Sequence, residues 1–484
     1  MSASGPSVAR PEGAGSRTSF RVLLALFLLS IALVNPYIRG DGNGYYAYVR
    51  SVVIDQDLNF ADEFAHGDPL FHDRYFDDSG NVRSSMLTST GRVTNQWAVG
   101  PSLLWLPFFL TAHGAVLAAN LAGLEVPPDG YSAPYRWSCA FGTALYGWLA
   151  ILMGWSMAGR TTGRTAALVA ALGLWWASSL PVYMYFLPFH VHALAAFSVT
   201  LFVWCWFRWQ PFADRGGRWF VWGLTGGLMA SVYYLDALFL TLAIWELGLT
   251  AQTPAERPHR RWRPAVWFAC GAWLALLPHF WVKWALYGSP FVTGYQDEFF
   301  WSHPRFWQVG FSPDHGLFTW TPVVLLAAVG LLVWAWRHRF VGSAIVTTLA
   351  LFYYVVASYQ TWHGLSSFGN RFFLSFTFAW VVGLATFIQW SGRRAWRHPA
   401  LARASGQVIG VGLVLWNIGL IFQWGTDIIP NRGSVSFGTV ARNQITVVPS
   451  RIGGFLWRYF TDRSGLTEDV EQTDRLEPPA PPVR

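Results

Sequence analysis

The chain has 484 residues, of which 53% are hydrophobic, 18% aromatic and only 12% charged, whereas soluble domains run near a quarter charged. This composition excludes an ordinary soluble protein, and apolar runs recurring from residue 21 to residue 428 leave no polar half for an independent globule. The net charge of +8 does not indicate nucleic acid, because the arginines are spread over short loops rather than gathered on one face.

Residues 1–19 are rich in Ser, Gly and Ala and read as a disordered cytoplasmic N-terminus. The apolar run 22–34 ends in Asn35-Pro36-Tyr37-Ile38-Arg39 with no small-x-small cleavage site, so an uncleaved first helix is expected rather than a signal peptide. Six basic segments follow the chain: the N-terminus through Arg21, then 160–164, 208–218, 257–263, 337–339 and 393–403. Loops rich in Arg and Lys stay in the cytoplasm, and a span needs about 20 mostly apolar residues. Apolar segments between consecutive basic loops must therefore come in even numbers. Segments 165–187 with 190–207, 265–287 with 320–336, and 341–359 with 371–390 meet this rule, and 219–249 meets it as two short helices turning near Tyr233, Tyr234 and Asp236. Segments 21–38, 97–118 and 137–158 are one too many. The middle one carries Gly100, Pro101 and Pro107 and lacks flanking basic clusters, so it reads as an interfacial or re-entrant helix on the outer side. The expected fold is an all-α polytopic membrane protein with about 11 transmembrane helices and an outer C-terminus. The expected organisation has a membrane module over 20–260 with outer loop 39–136. A second module over 261–428 carries outer loops 288–319 and 360–371. An outer tail, 429–484, has β-like runs over 434–448, an amphipathic helix over 451–459 and disorder from about 467.

Most of the 26 acidic residues fall in the outer segments, while the spans are nearly free of ionisable groups. A transporter would place such groups at mid-membrane. Polar outer loops joined to helix ends suit an enzyme working at the membrane surface. The densest candidate is Gly40-Asp41-Gly42-Asn43-Gly44-Tyr45-Tyr46, directly after the first span. Asp41 sits between residues that permit close approach, at a water boundary where a carboxylate can be tuned for base function; a turn aspartate after a helix has the same sequence. Asp55 and Asp57 form an Asp-x-Asp that can share a hard divalent cation, magnesium or manganese, and they are equally ordinary helix-ending residues. The three cysteines, Cys139, Cys205 and Cys270, lie in apolar runs without disulfide or zinc spacing.

This order of elements resembles the GT-C superfamily of integral-membrane glycosyltransferases. The resemblance rests on a first span, an aspartate at its outer end followed by an aromatic helix, a long outer loop and many later spans. It extends to Asn95-Gln96-Trp97-Ala98-Val99-Gly100-Pro101, to Phe311-Ser312-Pro313-Asp314-His315-Gly316-Leu317-Phe318, and to Trp362-His363-Gly364-Leu365-Ser366-Ser367-Phe368-Gly369-Asn370-Arg371-Phe372. Protein O-mannosyltransferases, the aminoarabinose transferases of lipid A and bacterial core-sugar transferases belong to that superfamily. The resemblance implies juxtamembrane helices in the first outer loop and a bacterial plasma-membrane enzyme. It also implies inverting transfer of a sugar from a polyprenyl-phosphate carrier to a glycan, lipid or protein acceptor at the outer face, with Asp41 at the catalytic position. Many members have a second acid directly after this aspartate; here Gly42 follows, which leaves metal dependence open.

A sugar leaving from phosphate is already on a good leaving group, so one base suffices beside cationic stabilisation of the phosphate. Arg371 begins a helix after Gly364, Ser366, Ser367 and Gly369 and can meet an anion, or simply anchor its helix. Lys283, the one lysine among 34 basic residues, lies in an aromatic setting near an outer helix end, as a phosphate contact or a snorkelling lysine. His190 and His192 can meet the phosphate or the acceptor, and Tyr45, Asp314, His315 and His363 are candidates to line a sugar pocket. No P-loop or dinucleotide fingerprint is present. The rival readings are a transporter or flippase for a lipid-linked saccharide and a non-catalytic membrane protein with the same fold.

Overall fold

The computed structural model describes residues 14–209, 216–252, 262–296, 298–394 and 399–476. Among these the chain is helical, and its only β pairing is three isolated bridges. Among the described residues six helices are long and apolar enough to cross a membrane: Gly100–Leu121, Ala133–Thr161, Arg263–Tyr287, Arg339–Ser358, Arg371–Gly392 and Gly406–Gly425. Shorter apolar helices, including Arg164–Ala177 and Pro322–Arg337, stand among them. The protein is a multi-pass membrane protein. Its outward surface agrees, for Trp273, Leu274, Leu277, Trp281 and Trp284 on one helix and Val408, Ile409, Val411 and Leu415 on another are all exposed, a display of apolar surface that lipid covers and water does not.

Each segment expected to span has a helix. The first is Ala14–Ser30, so helix begins inside the stretch expected to be disordered, and residues 1–13 lie outside the described residues. The run 219–249 is two helices, Gly216–Val232 and Thr241–Gln252, joined by a 3-10 turn over Tyr234–Leu240. Helix Arg263–Tyr287 lies along Gly216–Val232 so closely that Gly223, Gly227 and Gly271 are each pressed against backbone of the opposing helix. That packing crosses residue 260, where the sequence suggested a module boundary.

Among the described residues, the basic segment 160–164 meets the ends of the helices that carry Phe207, Trp334 and Gln389 at one end of the bundle. Trp334 donates to Thr161 (3.2 Å), Gly163 lies against Gln389, and Arg160 stands 5.6 Å over the Phe207 ring. The opposite end carries residues 31–75 and the loops of the candidate site.

Segment 97–118 is a continuous helix, Gly100–Leu121, with Pro101 and Pro107 accommodated in it. Its length would allow a crossing, but both flanks touch the same short helix, Asp41–Arg50. Ser102 in its first turn donates to the Tyr45 carbonyl (2.6 Å), and after its end Tyr46 donates to Gly130 O (2.6 Å) and Arg50 Nε to Asp129 O (3.1 Å). The chain therefore enters and leaves this helix on the non-basic side. Asp41–Arg50, Ala61–Ala65 and Pro69–Tyr75 are the other short helices of this loop.

The tail differs from its sequence reading. Residues 437–446 are helical where β-like runs were expected; helix Val448–Thr461 covers the expected amphipathic segment, and Arg463–Leu476 is a helix where disorder was expected. Residues 477–484 lie outside the described residues.

Candidate active site

The sequence Asp41-Gly42-Asn43-Gly44 is a poor helix former, yet Asp41–Arg50 is helical and buried from Gly42 to Arg50. Tertiary contact supplies what propensity lacks. Gly40 takes φ +55°, a conformation that favours glycine, and Gly44 lies flat against the Trp97 ring, where a Cβ would come within 2.0 Å of a ring carbon. Asp68 fixes the turn. Its carboxylate accepts from Gly40 N (2.7 Å), Asn43 Nδ2 (2.7 Å) and, as N-cap of helix Pro69–Tyr75, from Phe71 N (3.3 Å). Sequence reasoning missed Asp68, although Asp68-Pro69 is a legible helix start.

Held in this way, Asp41 meets Arg371 across 330 residues: Arg371 Nη2 donates to Asp41 Oδ2 at 3.2 Å. The Arg371 side chain is 14% exposed and that of Asp41 37%, so the carboxylate faces an opening and the guanidinium lies beneath it. Arg371 Nη1 stands 3.4 Å from His190 Nδ1. Burial drives the His190 ring down to about 4, ahead of the opposing pull of Asp41, so at neutral pH Nδ1 is an acceptor for the arginine. Burial works against the charge on Asp41 too, but the Arg371 guanidinium leads the opposing causes and holds the carboxyl below the usual carboxylate range. Arg371 Nε is buried without a hydrogen-bond partner. Buried Tyr45 and Tyr183 and half-buried Tyr233 surround the guanidinium.

Four of the predicted residues, Asp41, Tyr45, His190 and Arg371, thus form one cluster. His192 is buried with its ring edge-on to Tyr183 and Tyr233, a packing role. Asp314, His315 and His363 form the adjoining wall. His315 is fully buried at φ +55°, its Nε2 lies 3.6 Å from Asp314 Oδ1, and neither ring nitrogen has a hydrogen-bond partner. Burial lowers its pKa to about 3, with His363 and Arg371 adding to the effect. His363 Nδ1 accepts from Leu365 N (3.2 Å), and the loop it begins closes on Arg371 at Gly364.

Two expectations are corrected. Lys283 is fully buried, and its ammonium donates to the carbonyls of Asn95 (2.8 Å), Trp97 (3.1 Å) and Thr293 (3.1 Å) and to the Tyr48 hydroxyl (3.3 Å). It pins the strand of loop behind helix Asp41–Arg50 and has no donor left for a phosphate. Asp55 and Asp57 are likewise engaged: Asp55 pairs with Arg50, and Asp57 accepts from Ser51 Oγ (2.9 Å) and Asn59 N (3.0 Å). Their oxygens serve the turn after helix Asp41–Arg50 and do not converge on a cation. Among the described residues no group of three or more His, Cys, Asp or Glu side chains is arranged to hold a metal. Near this turn Glu63 is buried against Arg50 (3.0 Å), and burial lifts its carboxyl to about 8.

No family model matches the chain, and no curated protein matches it in sequence. Solved structures do resemble it. The crystal structure of the apo oligosaccharyltransferase of Archaeoglobus fulgidus aligns over 89% of this chain and 54% of its own, at 14% identity and a TM-score of 0.45. The oligosaccharyltransferase AglB of the same organism, in complex with an inhibitory peptide and a dolichol-phosphate, aligns over the same shares at 14% identity and a TM-score of 0.42. The chain spans about half the length of these structures.

Proposed function

We propose that the protein is a GT-C-type glycosyltransferase that moves a sugar from a polyprenyl-phosphate carrier to an acceptor hydroxyl on the outer side of a bacterial plasma membrane. The observation that carries this reading is the Asp41–Arg371 pair, a half-exposed carboxylate over a buried guanidinium at the non-basic end of the bundle. The two groups are the two that glycosyl transfer from a phosphate needs. Asp41 takes the acceptor hydroxyl proton. The acceptor oxygen bonds to the anomeric carbon as the bond from that carbon to the phosphate oxygen breaks, giving inversion, and the electron pair leaves on the phosphate. Arg371 stabilises that phosphate, using the unpartnered Nε and the planar fork of its guanidinium. Neutral His190 orients the fork from behind. A phosphate arriving on Arg371 also weakens its hold on Asp41, which strengthens the base at the moment the donor binds. Asp314, His315 and His363 line the neighbouring wall as sugar contacts, the unpartnered ring nitrogens of His315 and Oδ1 of Asp314 matching hydroxyl partners.

The test is transfer or slow hydrolysis of a radiolabelled polyprenyl-phosphate sugar by the purified protein. Asp41→Asn is expected to lower turnover at least 100-fold with donor binding retained, in line with the loss of a positioned base. Carrier movement across vesicles that ignores this substitution overturns the reading in favour of a flippase.

A further inference from the structure

The tail beyond residue 429 touches three segments beside the site: the loop before Arg371, the Asp314–His315 loop and the residues before Asp41. At its start, Arg432 Nε donates to Ser366 Oγ (2.6 Å) in the loop that precedes Arg371, and Val435 N approaches Pro313 O (3.4 Å) in the Asp314–His315 loop. Farther on it reaches the residues just before Asp41. Helix Ala14–Ser30 and the 3-10 turn after it leave carbonyls at Ala32, Leu33 and Val34 that need partners. Tyr459 donates to Leu33 O (2.7 Å), and Arg463 donates to Ala32 O (3.2 Å) and to Val34 O. The Arg463 guanidinium is itself held between aromatic faces, 4.3 Å over Tyr459 and 5.3 Å over Trp137. One turn of chain later, Tyr37 donates to Glu471 Oε1 at 3.0 Å. Helix Arg463–Leu476 lies on helix Pro69–Tyr75, whose N-cap Asp68 holds Gly40.

We infer that the C-terminal strap, acting through Tyr459, Arg463 and Glu471, positions Asp41. Residues 34–40 are non-helical and connect the first helix to Asp41, so their backbone sets where the carboxylate points. The strap fixes both ends of that setting: the carbonyls at 32–34 directly, and the Gly40 turn through the helix that Asp68 caps. Arg463 suits this because its planar fork reaches two carbonyls in one conformation. These are positioning residues. They reach Asp41 only through the chain they hold. The inference rests on the glycosyltransferase reading for its effect on turnover, but the strap's hold on residues 34–44 is independent of it.

The experiment compares full-length wild type with Arg463→Ala, Arg463→Lys and Glu471→Gln in nanodiscs. Glu471→Gln alters a helix surface position and keeps the test usable if Arg463→Ala folds poorly. Amide hydrogen exchange over residues 34–44 is expected to rise at least tenfold in Arg463→Ala, to rise about threefold in Glu471→Gln, whose amide oxygen still accepts from Tyr37 without the charge, to be restored only in part in Arg463→Lys, which lacks the fork, and to be unchanged over 100–121. With donor and acceptor supplied, turnover falls about tenfold while donor KM stays within twofold, and in an Asp41→Asn background Arg463→Ala causes no further loss. Unchanged exchange over 34–44 overturns the strap whatever the activity. Faster exchange in a protein with no transferase activity retains the strap and rejects the enzyme reading. A loss of turnover that adds fully to that of Asp41→Asn assigns the tail a general structural role and overturns positioning.

Discussion

Asp41 is a carboxylate of the loop after the first helix whose charge is set by a partner 330 residues away. Arg371 holds its pKa below the ordinary range against the upward pull of burial. A group with a lowered folded pKa is ionised through neutral and mildly acid pH, and the stabilisation it gives is present above the unfolded value and lost as pH falls through the folded one. Transfer kcat/KM should therefore stay level as pH falls from 7 to about 5. In Arg371→Met the largest cause opposing burial is removed and the acid limb should move to higher pH; a pH–rate profile of the two proteins checks both statements, and an unmoved limb would assign the limb to another group. His190, with its pKa near 4, should contribute nothing to the profile above pH 5. Lys283 is the contrasting residue. Its uniqueness was legible, but its role was not, because two of the carbonyls that surround its ammonium, those of Asn95 and Trp97, come from a loop more than 180 residues away. A compact ammonium with three rotatable donors fits such a pocket, where a planar guanidinium does not.

Helix Asp41–Arg50 depends on its surroundings more than any other element of the site. Gly44 lets it lie against Trp97, and the Trp97 carbonyl is in turn held by Tyr48 (3.0 Å) and Lys283 (3.1 Å). A methyl at Gly44 has no room without moving that ring. Gly44→Ala should cost about 1–3 kcal/mol of stability, the usual range for overpacking, and lower transfer by displacing Asp41; thermal unfolding in detergent and the radiolabel assay measure the two effects. Retention of both wild-type values would mean that the contact with Trp97 is loose. The run Tyr48 to Phe60 was readable as an amphipathic helix closing at Asp-x-Asp, but the use of those acids was not. Asp55 turns to Arg50 because Arg50 is drawn inward by buried Glu63 and the Asp129 carbonyl, none of which is near it in spacing terms.

For the whole molecule, the arginine loops give a sidedness that the packing repeats independently. Thr161, Gly163, Trp334 and Gln389 meet at one end, while Asp41, His190, His315 and Arg371 meet at the other. Ser79 and Ser343 are both exposed, one in the first outer loop and the other beside Arg339. Cysteines introduced at these two positions should be labelled by an impermeant maleimide from opposite sides of the membrane in intact cells, Ser79→Cys from outside. Labelling of both from one side would overturn the arrangement, and with it the placement of the chemistry at the outer face.

Apolar run length and arginine placement were enough to give a helical membrane body, its helices and the side where the acids gather, because each of these follows from local composition meeting a bilayer. Asp41, His190 and Arg371 could be singled out as candidates because each stands at a helix end beside glycines, prolines or aromatics. Their convergence could not be read, since pairing across 330 residues is a property of packing. Packing also decided that Asp68 sets the Gly40 turn, that Lys283 is consumed by carbonyls and that a polar tail read as disordered folds back on the first helix. In each case buried backbone groups required partners, and those partners came from parts of the chain that local patterning does not connect.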